Sequence, residues 1–412
     1  MKQFSAIVKS IREHLQDDKS RFIFDNRLLY SLTGDYDYIN KIILSLPQKK
    51  ELDAAVNKCR EHADQLVIWG AGNDLLILLN LYPDFPIHHL CDKDESKQQN
   101  GWRGISVMSP EELAKKKDEV FVVVNTAAYQ EEIVRFLEEY DFAENRIINL
   151  GLIMDSLYSR QYFDADIMSP QEGEVFVDGG CFDCSTDKAF IKWCNGDYRK
   201  IFAFEPDREN YEKCLKKCQE ERMANIELYH KGLWDCEIEL SFEAGSGQGS
   251  KISVEDVQIG GQNSEISEEN AQIGSLDSEI SEEDVQIDRP ESIVSDEEFK
   301  IKENASKLKG QMSQIGEEGT NVIKISTVAI DNVVGEEEVS LIKLDVEGAE
   351  LKALQGAART IRTFRPRLAI SVYHKPEDII EILEYILSLH DDYRLYIRHY
   401  QMSSCETIVY AL

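Results

Sequence analysis

Residues 175–183 read VFVDGGCFD and residues 203–207 read AFEPD. A short apolar strand therefore ends in an acid and two glycines, and a second strand ends in Glu-Pro-Asp. Asp178 and Glu205 are 27 residues apart, about one strand–helix–strand unit of a nucleotide-binding α/β fold. Gly179 and Gly180 let the backbone approach a ligand closely. Glu205 is expected at the carboxyl end of the second strand, with Pro206 behind it, where an acid accepts both ribose hydroxyls of a nucleoside. A dinucleotide enzyme would carry G-x-G-x-x-G, whereas here Asp178 is followed by GGCFDC. Asp183 then falls where that pattern brings the chain near a pyrophosphate. A carboxylate there repels phosphate and suits the cationic end of S-adenosylmethionine. The pattern points to methyl transfer.

Farther on, residues 341–350 read LIKLDVEGAE, followed by the helical LKALQGAARTI and by RPRLAISVYHKPED at 365–378. With these pieces the sequence closely resembles the FkbM family of S-adenosylmethionine-dependent methyltransferases. The matching segments are DGG with Asp183, FEPD, the KLDVEGAE block, the L-x-G-A helix and the R-P strand. The resemblance covers 170–243 and 320–412 and says nothing of the first 150 residues or of the middle. It implies a class I methyltransferase, Rossmann-like sheet of seven strands with the final pair antiparallel. Pattern alone gives a mostly parallel, doubly wound sheet. Cys184 stands where the family usually has glycine, and its side chain is expected to crowd the loop.

A chain of 412 residues holds two or three domains. Its net charge of −31 argues against a nucleic-acid partner, because no basic stripe is available to neutralise phosphates. The start, MKQFSAIVKSIREHLQDD, lacks the long apolar region and small-residue cleavage site of a signal peptide. Nowhere do about 18 apolar residues run together, so no membrane span is expected, and the chain reads as cytoplasmic. Nine cysteines include Cys181 and Cys184 as C-x-x-C and Cys214 and Cys218 as C-x-x-x-C. Zinc or redox chemistry is one reading. Reduced, unliganded thiols are the preferred one, consistent with a reducing compartment.

Three regions precede or interrupt the motifs. Residues 1–62 read as helical, with Phe4, Ile7, Val8, Ile11 and Leu15 on one face of the first helix. They are expected to pack against the next domain or a second copy of the chain. Residues 63–152 read as a smaller Rossmann-like α/β domain, with strands at 66–69, 87–92, 120–124 and 146–150. Ser109, Pro110 and Glu112 make a helix start there. After Gly70-Ala71-Gly72 a third glycine would fall at Leu75, and Asp92 lies about where a ribose-binding acid belongs. A nucleotide or nucleotide-sugar site and a unit that only packs both fit. Residues 153–412 form the methyltransferase-like domain, with strands at 174–178, 200–204, 226–230, 341–345, 366–372, 393–397 and 406–411. Its clearest helices are 349–362 and 376–389. Inside it, from Ser250, a 14-residue repeat runs to about 319 and opens with SKISVEDVQIGGQN. Residues 250–305 carry 16 acidic and 4 basic side chains with a single apolar column, which predicts a solvated acidic excursion and not a coiled coil.

For the chemistry, Asp178, Gly179, Gly180, Cys181 and Asp183 are the candidates for the methionine end of the cofactor. Glu205 and Pro206 are the candidates for the ribose. Gly232, Leu233 and Trp234 follow the third strand and are placed to flank adenine, although Trp234 reads equally well as core. Asp345 and Glu347 are candidates for the catalytic base, an acceptor clamp or the ligands of a divalent cation such as magnesium. Glu350 has a simpler role, since an acid in a first helical turn is stabilised by the helix dipole. His374 ends its strand beside Lys375 and is the candidate neutral-pH base. The resemblance implies an O-methyltransferase acting on a sugar hydroxyl of a glycan or glycosylated product. The rival is a non-enzymatic nucleotide or nucleotide-sugar binding protein on a degenerate methyltransferase fold.

Overall fold

The computed structural model describes residues 2–244, 251–258 and 321–412. Runs of β-branched and aromatic residues form two largely parallel sheets. The first contains β1 (Leu66–Trp69), β2 (His89–Cys91), β3 (Val107–Met108), β4 (Phe121–Val124) and β5 (Ile147–Asn149). They lie in the order β3-β2-β1-β4-β5 and are parallel throughout. Strand β3 adds to the four strands expected, because two residues are too few to display a period. The helix after it opens at Ser109, whose hydroxyl accepts from the Glu112 amide while the Glu112 carboxylate accepts from the Ser109 amide.

The chain continues through β6 (Glu174–Gly179), β7 (Tyr198–Phe204) and β8 (Ile226–Tyr229). Next come β9 (Gly232–Leu233), β10 (Glu239–Ala244), β11 (Lys251–Gln258) and β12 (Asn321–Val328). It ends with β13 (Leu341–Leu344), β14 (Arg367–Ser371), β15 (Leu395–His399) and β16 (Thr407–Ala411). Seven of these form the second sheet, in the order β15-β16-β14-β13-β6-β7-β8. Only β16 runs against its neighbours. Nη2 of Arg367 of β14 donates to both oxygens of the buried Glu174 of β6, which fastens the amino-terminal ends of the strands together.

Four helices, Lys2–His14, Asp18–Thr33, Asp37–Leu44 and Pro47–Glu61, form the amino-terminal segment. The second of them and the Leu15–Gln16 link before it cover the β15 edge, which would otherwise offer unpaired backbone groups. Leu15 bridges to Leu395, the Ser20 hydroxyl accepts from the Ile397 amide at 2.9 Å, and Asp17 pairs with Arg398 at 2.6 Å. Ile11 and Leu15 are buried, but Phe4 at the far end of the same face is exposed. The helical run expected over 349–362 is two helices, Glu350–Gln355 and Ala358–Phe364. They part at Gly356, where a Cβ would lie 2.1 Å from the Trp234 carbonyl oxygen. Pro376 sits in the turn before the helix Asp378–Leu389, not in its first turn.

Met1–Glu237 with Ile325–Leu412 make one compact unit and Ile238–Lys324 a second. In the second, β10 and β11 pair antiparallel with an irregularity between Glu239 and Ser241. In the first, β9 pairs in parallel with the end of β12 through Gly232–Thr327 and Leu233–Val328. Beyond Gln258, the acidic repeat lies outside the described residues. No helix among the described residues is long and apolar enough to cross a membrane.

Candidate functional site

Strand β6 has β7 on one side and β13 on the other, so the chain leaves it in opposite directions. This creates the crevice at the carboxyl ends of the strands where open α/β sheets bind ligands. Asp178 and Gly179 end β6, Glu205 follows β7, and Asp345 follows β13. Backbone crowding dictates the glycine after Asp178. Gly180 has φ of +78°, and a Cβ there would lie 1.9 Å from the Asp345 carbonyl oxygen.

Asp178 is fully buried and lies in register with Lys343 of β13. The Lys343 ammonium donates to the Asp178 carboxylate at 2.9 Å and to the carbonyls of Gly179 and Gly180 at 3.0 and 2.7 Å. Burial works against that ammonium, but the charges of Asp178 and Asp345 outweigh it and hold its pKa above the usual lysine value. Asp178 therefore supports the glycine turn from beneath through a lysine. Its second oxygen, Oδ2, is buried without a partner.

Around the turn, the Phe182 amide donates to Glu205 at 2.9 Å and the Asp207 amide donates to its other oxygen at 2.8 Å. Burial pushes the Glu205 carboxyl up to about 7, against those two bonds. Asp207 in turn caps the helix Arg208–Glu220. Asp183 is half-exposed and accepts from the Ser185 amide and from Lys217 at 3.0 and 3.1 Å. Partial burial raises its pKa, but Ser185 and Lys217 outweigh that and leave it lowered. Cys181 is buried and turned toward Cys214, not toward the crevice. Leu233 is buried, and its side chain lies 2.7 Å from the point where a Cβ of Gly179 would stand. Pro206 stands 3.9 Å from the corresponding point at Gly232. Trp234 is half-buried, with the Lys352 ammonium 5.9 Å from its ring centre.

A second cluster lies beyond Asp345. Tyr162 donates to the Asp345 carboxylate at 2.6 Å and Tyr373 at 3.2 Å. His374 places Nε2 3.4 Å from Asp345 and 3.5 Å from Glu347, and Nδ1 2.9 Å from the buried Glu350. Burial disfavours the imidazolium, but these three carboxylates, Glu350 first, raise its pKa to about 10. That favours the imidazolium at neutral pH and counts against His374 as the neutral-pH base. Burial also disfavours charge on Asp345, but His374, Lys343 and the two tyrosines keep its pKa low. Glu406 closes the group, with a carboxylate oxygen 3.3 Å from the Tyr373 hydroxyl, and accepts from Gln161. Burial and Asp345 push it up to about 7.

Lys343, Tyr162, Tyr373 and Glu406 were not singled out in the sequence. Tyr373 could have been, since it precedes His374 in the same strand end. His399 is buried against Thr407 at 2.9 Å and belongs to the core.

Asp345, Glu350 and His374 also sit close enough together to hold an ion. The donor set does not fit magnesium, which wants an octahedron of oxygens and keeps several waters. Here the imidazolium already balances the carboxylates, and two tyrosines occupy Asp345.

Residues 185–401, just over half of the chain, match the family model for the methyltransferase FkbM domain. No curated protein matches the chain. Among solved structures it is similar to the methyltransferase FkbM from Methylobacillus flagellatus KT. That pair shares 16% identity over 89% of this chain and 99% of the other, with a TM-score of 0.42. An rRNA methylase from Streptococcus thermophilus matches at 14% identity, over 64% of this chain and 94% of the other, with a TM-score of 0.29. A protein assigned as a methyltransferase from Streptococcus mutans, in complex with SAH, matches at 9% identity over 63% and 96%, with a TM-score of 0.28.

Proposed function

The chain belongs to the FkbM family of methyltransferases, and from that premise we propose that it is an O-methyltransferase acting on a sugar hydroxyl of a glycan or glycosylated small molecule. The observation that carries this reading is the meeting of Asp178, Glu205 and Asp345 at three adjoining strand ends around β6. That seven-strand order with one reversed strand is the arrangement of class I methyltransferases. S-adenosylmethionine, when bound, supplies an activated methyl group. The residues' task is to bind, align and take a proton. Glu205 accepts the ribose hydroxyls while the 180–183 backbone turns around the methionine end, with Asp183 facing its positive charge. Gly232, Leu233 and Trp234 flank the adenine beside Pro206.

Asp345 is the proton acceptor in this reading, with Glu347 beside it. Tyr162 and Tyr373 fix its orientation, and the His374 imidazolium stabilises the carboxylates. The net charge of −31 favours a neutral small-molecule or glycan acceptor over nucleic acid. In the 63–152 unit, Asp92 already accepts from the Ala71 amide and from Lys97, both at 3.0 Å. We therefore read that domain as a packing element of the 153–412 methyltransferase domain, which the helices of 1–62 also buttress.

The test is methyl transfer from isotopically labelled S-adenosylmethionine to a panel of glycosides, with the product located by mass spectrometry. Label is expected on a sugar oxygen and retained in the presence of EDTA. Label on RNA, or on no acceptor, would overturn the assignment. Activity abolished by EDTA and restored by magnesium would overturn the metal-free mechanism.

Cofactor affinity should also depend on pH. Ribose hydroxyls donate to the ionised Glu205, whose pKa is about 7, so affinity is expected to rise from pH 6 to 8 and then level off. Binding that weakens over that range would count against Glu205 as the ribose acceptor.

A further inference from the structure

Two cysteine pairs that are 30 residues apart in sequence meet behind the glycine turn. Cys181 and Cys184 come from the loop after β6, and Cys214 and Cys218 lie one turn apart on the helix Arg208–Glu220. The Cys181 and Cys214 sulfurs are 3.7 Å apart, and those of Cys184 and Cys218 are 3.9 Å apart. Cys181, Cys184 and Cys214 are all buried, with their sulfurs within 4.8 Å of one another. A disulfide would bring two sulfurs to about 2.05 Å, and all four are free thiols. In a tetrahedral zinc site with Zn–S bonds of about 2.3 Å, the sulfurs stand about 3.8 Å apart. These two separations match that edge, while Cys218 lies outside the mutually close group of three sulfurs and adjoins it at Cys184.

We propose that Cys181, Cys184, Cys214 and Cys218 form a structural zinc site that pins the cofactor loop to the helix behind it. The spacing agrees, since C-x-x-C from a loop and C-x-x-x-C from a helix fall within the usual range for such ligands. Zinc replaces the four thiol protons, which pass to solvent as the sulfurs become thiolates.

One feature of the backbone bears on the assignment. Phe182 and Cys184 both adopt left-handed backbone, with φ of 54° and 57°. That conformation is unfavourable for side chains other than glycine, so Cys184 occupies a position where glycine would sit more easily. The site also differs in kind from the carboxylate–histidine cluster, being sulfur-only and turned away from the crevice.

The test is the metal content of the full chain, purified without chelator from zinc-supplemented cells. About one zinc per chain is expected. Cys184→Gly, which suits the left-handed backbone, and Cys214→Ser should both lose it, while Cys405→Ser keeps it. Cobalt exchanged into the unaltered protein should give the red-region bands and sulfur-to-metal charge transfer of a tetrahedral thiolate site. This reading decides the matter even if Cys214→Ser fails to fold. Unaltered protein without stoichiometric zinc and without the cobalt spectrum would overturn the proposal. Zinc retained by Cys184→Gly, or a disulfide linking any two of the four, would do the same.

Discussion

Lys343→Met is expected to lose about 3–5 kcal/mol of stability, the usual cost of removing one partner of a buried ion pair. The lysine is 2% exposed and lies in register with Asp178, which is wholly buried. Methionine fills the space but leaves the carboxylate and two carbonyls without their donor. In the variant, burial raises the Asp178 pKa above its unfolded value near 3.8. A group raised in this way has its full stabilising contribution below the unfolded pKa and loses it as pH rises through the folded one. The defect should therefore be small near pH 4 and grow toward neutrality. Adding Asp178→Asn to Lys343→Met should recover much of the loss at pH 7. An unfolding free energy from urea titration within about 1 kcal/mol of the unaltered protein's at pH 7 would show that the pair does not support the turn.

Asp345→Asn is expected to lower turnover by about 10²–10⁴-fold, the range for loss of a positioned base. Asparagine keeps the shape, and with its carbonyl oxygen at the Oδ2 position it still accepts from Tyr162 and Tyr373, whose hydroxyls lie 2.6 and 3.4 Å from that oxygen. Cofactor affinity should stay near that of the unaltered protein, because the substitution removes proton-accepting power and leaves the ribose acceptor in place. His374→Ala should be damaging for a different reason. It removes the cation held among Asp345, Glu347 and Glu350, so their mutual repulsion should disorder the site. Steady-state and single-turnover kinetics on Asp345→Asn separate the two effects. Turnover within about threefold of normal, far short of that range, would leave alignment alone as the source of rate.

Much of the crevice was legible because its parts are local. An apolar run ending in acid and glycines marks a strand tip, and Glu205, Asp207 and the helix after them follow in a few residues. The strand ends at 178, 205 and 345 fell where the patterns placed them. What escaped depends on contacts between distant segments. Lys343 looks like an ordinary charge on a strand until β13 is set beside β6 and its side chain passes beneath Gly179 and Gly180. Tyr162 reaches Asp345 across 183 positions, and Glu406 arrives from the last hairpin.

The charge of His374 was illegible for the same reason. Its residue type suggests a neutral-pH base, and only the fold supplies three carboxylates around it. Gly356 looked like one more helical residue, because nothing in the local pattern announces the Trp234 carbonyl against it. The four cysteines were visible as two separate pairs, and only the packing of the helix Arg208–Glu220 behind the loop joins them.

Calorimetric titration of S-adenosylhomocysteine into the full chain tests the central claim most directly. One site per chain is expected, and Glu205→Ala should weaken binding by about 1.5–3 kcal/mol, the worth of hydrogen bonds to a charged acceptor. No heat of binding from folded protein, or equal affinity in Glu205→Ala, would contradict a cofactor held between the ends of β6 and β7.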